Sequence, residues 1–133
     1  MSALLGLIFV IAIGATWLAA IRYVRYRKDS VIRRRPSMTV DLIYSTYYAD
    51  SGLVKEDVVE LWSEIANVLR IPRENLRPAD RFGTDIGWWQ ITSEDLDTLS
   101  EKATKRAGKL GVAIDPSRIS TVDEYVRALA RRL

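Results

Sequence analysis

The longest apolar stretch of the chain stands at its start. Nineteen residues from Ala3 to Ile21 carry no charge, among them Leu4, Leu5, Leu7, Ile8, Phe9, Val10, Ile11 and Ile13. At a helical rise of ~1.5 Å per residue this run extends roughly 28 Å, close to the ~30 Å of a bilayer's hydrocarbon core. Gly6, Gly14 and Thr16 interrupt it, and membrane helices tolerate all three. Trp17, Tyr23 and Tyr26 lie toward its far end, where amphipathic rings favour the membrane interface. A cleaved signal would carry positive charge ahead of a shorter apolar core, whereas here the basic residues follow it. The pattern predicts a membrane anchor over residues 1–22, with residues 3–21 in the bilayer.

Helical periodicity takes over further along. Val58, Leu61, Trp62, Ile65, Val68 and Leu69 recur at steps of three and four, opposite Glu56, Asp57, Glu60 and Glu64. This predicts a helix over 53–69, stopped by Pro72. A loop over 71–90 follows, with Pro72, Pro78, Gly83 and Gly87 interleaved with Phe82, Trp88 and Trp89. A second helix starts at Thr92 or Ser93, either of which can cap it, buries Leu96, Leu99, Ala103, Ala107 and Leu110, and ends at Gly111. After one helical turn beyond Pro116, Thr121 and Glu124 spell a capping box for a last helix, which buries Val122, Tyr125, Val126, Leu129 and Leu133. Residues 23–52 form a basic juxtamembrane segment and linker. Its part from 37 to 52 is too aromatic for a free tether and lies back either on the domain or on the membrane surface.

Charge sharpens this picture. Residues 22–35 hold seven basic groups (Arg22, Arg25, Arg27, Lys28, Arg33, Arg34 and Arg35) against one acid, Asp29. Residues 36–133 hold 13 basic and 16 acidic groups, so the sequence pI near 9.3 describes one short segment. Nucleic acid is therefore not an expected partner. The cluster instead suits anionic lipid headgroups, and by the positive-inside rule it places the following domain in the cytoplasm. The expected location is a bacterial-type inner membrane, crossed once, with the N-terminus outside. Ala15 and Ala19, or Thr16 and Ala20, have the spacing through which two anchors pack, a hint of a weak homodimer.

The chain contains no His and no Cys, which removes thiolate nucleophiles, disulfides, Cys or His metal sites and imidazole acid–base chemistry. A carboxylate enzyme built on Asp80, Asp85, Asp95 or Asp97 is disfavoured because no spacing matches a metal loop. The expectation is no enzyme and no metal.

The order of elements from Leu53 to Arg132 resembles the acyl carrier protein family. The resemblance rests on Val58–Leu69 with the loop from Ile71 to Phe82, on Glu94-Asp-Leu-Asp-Thr-Leu99, and on Val112-Ala-Ile-Asp-Pro116 with Ile119–Val126. It implies an all-α protein: one N-terminal transmembrane helix, then a small three- or four-helix bundle of acyl-carrier type over 53–133. In that family a serine at the start of the second long helix carries phosphopantetheine. Asp95 stands at that place here, and a carboxylate cannot take up the group, so no cofactor is expected. The alternative is attachment at Ser93, two residues earlier.

These readings lead to a membrane-tethered, carrier-like interaction module that recruits a protein partner without a prosthetic group. Its candidate contacts are Trp88, Trp89, Asp95 and Asp97. The two tryptophans are open to three roles: a lid over the bundle, a partner hot spot or a membrane contact.

Overall fold

Helix α1 runs from Ser2 to Arg33 without a break. It is thus longer than the apolar run, because Pro36 is the first residue after Gly14 that opposes a helix. The computed structural model describes residues 2–87 and 94–133, apart from the side chains of residues 25, 28 and 29. Over Ser2–Val24 the helix is long and apolar enough to cross a membrane, and none of that stretch is buried by the rest of the chain.

The linker folds into the domain. Thr39 caps the short α2 (Val40–Ile43), its hydroxyl accepting from the Leu42 N–H at 3.2 Å. A π turn over Tyr44–Tyr48 continues the helix. Its wider winding brings residues five apart onto one side, and both Ile43 and Tyr48 are buried. Tyr48 meets Trp62 edge to face, with ring centroids 6.1 Å apart.

Three longer helices make the bundle: α3 (Lys55–Leu69), α4 (Glu94–Leu110) and α5 (Val122–Leu129). Among the described residues there is no strand, only isolated bridges. The all-helical class and the long apolar N-terminal helix therefore stand as expected. Leu61, Trp62 and Ile65 of α3 pack with Leu99 and Ala103 of α4 and with Val122, Val126 and Leu129 of α5 in one core. Helix α3 ends before Pro72 is reached, because Arg70 adopts the left-handed conformation at φ 57° and its N–H returns to the Ala66 carbonyl. The capping box of α5 is displaced by one residue. Thr121 Oγ1 accepts from the Glu124 N–H at 3.1 Å, while the Glu124 carboxylate accepts from the Ser120 N–H at 2.7 Å. Leu133 differs from expectation and is 91% exposed. The chain turns extended at Ala130, so the helical spacing that would bring Leu133 onto the apolar face is lost.

The loop after α3 is structured by contacts at a distance. Arg73–Asn75 forms a 3-10 turn, and Trp62 Nε1 donates to the Arg73 carbonyl at 2.8 Å. Residues 78–82 then run beside the start of α5. Phe82 N–H donates to Ser120 O, Val122 N–H to Asp80 O and Asp123 N–H to Pro78 O. These bonds satisfy loop and helix-terminus groups that a free loop would leave to water.

Candidate functional site

Two constructions deserve a functional reading, and the first joins α1 to the bundle. Ile32, in the last turn of α1, is buried in the domain core. The buried Asn75 side chain donates to the Ile32 carbonyl at 2.9 Å, closing one of the open acceptors of that helix end. Two residues past the helix, Arg35 Nη1 reaches Asp80 Oδ2 at 2.8 Å and the Asn75 carbonyl at 3.2 Å. Asp80 is 3% exposed, and the same oxygen accepts the Arg77 N–H at 2.8 Å. Arg77 in turn donates to the Pro36 carbonyl. The hydrogen bond to Asp80 holds the Arg35 guanidinium above its ordinary pKa. A charge from the basic cluster is thereby built into the domain.

The second construction is a cleft of about 350 Å³ beside the first half of α4. Phe82 from the loop, Leu96 and Leu99 from α4, and Ile119 and Tyr125 form its apolar walls. Asp97, Ser100 and Ser117 add polar groups to the lining. Phe82 and Tyr125 meet edge to face with centroids 6.0 Å apart. The Tyr125 hydroxyl donates to Glu64 Oε1 at 3.0 Å, and burial followed by the Glu64 charge pushes its pKa up. Gly87 sits at φ +73°, where a Cβ would come 2.9 Å from Leu96 Cδ2. The left-handed backbone conformation is what favours glycine there, and a side chain would also press on the end of Leu96.

The expected site residues are distributed as follows. Asp95 is half-buried in the first turn of α4, and Asp97 is exposed and lines the cleft. Trp88, Trp89 and Ser93 lie outside the described residues. Arg22, Arg27, Arg33 and Arg34 are exposed along or just after α1. Arg25 and Lys28 belong to the same helix, with side chains outside the described set. Arg35 parts from this group because Asp80 engages it. Phe82, Ile119 and Tyr125, which the sequence placed only in a loop or core, are brought together as the cleft wall. The signal for Phe82 was its position in a loop too long to stand without packing.

A further ionic cluster ties the bundle shut away from the cleft. Asp57 is 2% exposed in the first turn of α3 and accepts from Arg131 through the backbone N–H, Nε and Nη2, at 2.8, 2.9 and 2.9 Å. Arg106 of α4 lies 3.7 Å from Asp57 and bonds Glu60 at 3.1 Å. The Arg131 side chain, before its backbone N–H and Arg106, holds the Asp57 carboxyl below the usual range. Among the described residues, no three acidic side chains are grouped so that they could hold a metal ion. Against protein-family models, curated proteins and solved structures, the chain shows no match.

Proposed function

We propose that the protein is a membrane-anchored interaction module: a carrier-like helical domain without a prosthetic group, held at the cytoplasmic face of a bacterial-type membrane to recruit a protein partner. The observation that carries this reading is the way α1 enters the domain. A helix with an unburied apolar span ends in the domain core, with Asn75 and Arg35 fastening its last turn. From Val24 at the end of the span to the buried Ile32 is about 12 Å along the axis, enough to carry the domain through the interfacial layer of a bilayer. On this reading α1 acts as a stalk that fixes the height and orientation of the bundle against the membrane. Arg22, Arg25, Arg27, Lys28, Arg33 and Arg34 supply the cationic collar at headgroup level. The partner surface is the first half of α4, with Asp95, Asp97, the adjoining cleft and the neighbouring Trp88 and Trp89.

The cleft also favours a second reading, a tethered acyl carrier modified on Ser93. An apolar cavity of about 350 Å³ lies beside the helix that Ser93 precedes. Intact mass after co-expression with a phosphopantetheinyl transferase separates the two. An unmodified chain is expected, and a gain of one phosphopantetheine on Ser93 would replace the first reading with the second.

The recruiting function is tested by pull-down of the full-length protein in mild detergent, beside a Trp88→Ala, Trp89→Ala variant. A partner retained by the natural chain and lost from the variant is the expected result. Equal retention would remove the tryptophans from the partner surface. A C-terminal reporter active only outside the cytoplasm tests topology and is expected to stay silent.

A further inference from the structure

A groove of about 390 Å³ lies between α1 and the turn at Thr84–Asp85. Resting on the membrane-anchor reading, we propose that this groove seats one lipid of the surrounding bilayer, a phosphatidylethanolamine, with its phosphate on Arg27 and its ammonium on Asp85. The helix side is formed by Tyr23, Val24, Arg27 and Val31, and the domain side by Thr84 and Asp85.

Position comes first. The apolar span ends at Val24, so the groove begins where acyl chains give way to glycerol and phosphate. Tyr23 and Val24 offer apolar surface to the upper part of the chains, and Tyr23 is of the residue type enriched at that depth. Arg27 stands one turn beyond Val24, about 4.5 Å further along the axis, at the level of the phosphate. A guanidinium suits a phosphodiester because its planar fork meets two oxygens at once.

Charge then selects the headgroup. Arg35 also lines the groove, but Asp80 engages it at 2.8 Å, so among the described residues Arg27 is the cation the groove offers. Asp85 is exposed and lines the domain side of the groove, where its Oδ2 accepts the Arg81 N–H at 3.0 Å. A phosphoethanolamine headgroup carries the complementary pair of charges, a phosphate for Arg27 and an ammonium for Asp85. Phosphatidylglycerol would satisfy Arg27 but leave Asp85 facing an anion and a neutral diol. The basic collar draws anionic lipid in general, whereas this groove matches a zwitterion.

The test uses the full-length protein reconstituted into vesicles of equal phosphatidylethanolamine and phosphatidylglycerol. Insertion is scored by resistance to alkaline extraction, and lipid retained after gentle detergent extraction is identified by native mass spectrometry. One retained lipid is expected, phosphatidylethanolamine over phosphatidylglycerol by about five to one, the effect that two partly exposed ionic contacts produce. Arg27→Gln should return the retained lipid to the vesicle ratio, and Asp85→Asn should remove the discrimination between the two lipids. Both side chains are exposed, and circular dichroism checks that the variants fold. A chain that inserts yet retains lipid at the vesicle ratio, or keeps its preference in Arg27→Gln, overturns the groove and leaves the anchor standing. Release of the lipid by inorganic phosphate alone would reduce the groove to an anion site and overturn it too. A chain that does not insert overturns the anchor itself.

Discussion

Arg35 Nη1 and Asp80 Oδ2, separated by 45 positions in the chain, stand 2.8 Å apart where α1 enters the bundle. Asp80 is buried and Arg35 three-quarters covered, so the pair forms part of the domain interior. Breaking it from the cation side leaves a buried carboxylate without its ion-pair partner, retaining the Arg77 N–H among the described residues. Arg35→Met is expected to cost about 3 kcal/mol in urea denaturation of the detergent-solubilised protein. Asp80→Asn, which keeps an acceptor for Arg77, should cost less. A loss under about 1 kcal/mol in Arg35→Met would mean that the junction behaves as a solvated surface pair.

Asp57 governs the acid limb of stability. Its folded-state pKa is depressed, so its contribution is fully present above the unfolded value near 4 and is lost as pH falls through the folded value. The urea midpoint should therefore hold from neutral pH down to about pH 5 and then decline. Asp57→Asn should lower stability at pH 7 by about 2 kcal/mol, reduced from the fully buried case because Arg131 is largely exposed. The same variant should show a shallower decline below pH 5. An unchanged slope would assign the acid sensitivity to other carboxylates.

Arg70 occupies the left-handed region at φ 57°, where a side chain is strained by about 1 kcal/mol. It is exposed, so its replacement disturbs no packing. Arg70→Gly is expected to raise the thermal midpoint, through a gain of about 0.5 kcal/mol after the added freedom of the unfolded glycine is subtracted. A lower midpoint would mean that the arginine makes a compensating interaction.

The Tyr48 hydroxyl is buried without a well-formed hydrogen bond among the described residues, and its charged neighbours are Asp123 and Arg127. Burial, then the Asp123 charge, push its pKa up, which keeps the hydroxyl neutral. Tyr48→Phe removes an unsatisfied polar group and keeps the ring that packs on Trp62 and lies under Arg127. Stability should be unchanged or higher by up to about 1 kcal/mol. A loss of that size would reveal a hydrogen bond formed in solution.

Much of this protein follows from local pattern. The uncharged run before Arg22 specifies a helix that no part of the chain covers, because uninterrupted apolarity offers no polar face to solvent. The three- and four-residue spacing in α3, α4 and α5 marks the faces they bury, and Thr121 and Pro116 mark where turns begin. Tertiary structure decided the rest. The seating of the end of α1 in the core depends on Ile32 and Arg35 finding Asn75 and Asp80, some 40 residues away. The linker joins the core because a π turn aligns Ile43 with Tyr48, a register that α-helical spacing does not display. The cleft beside α4 and the groove beside α1 each draw walls from segments far apart in the chain. Periodicity reports which face of an element avoids water, but only the packed chain determines which distant charge or ring meets it there.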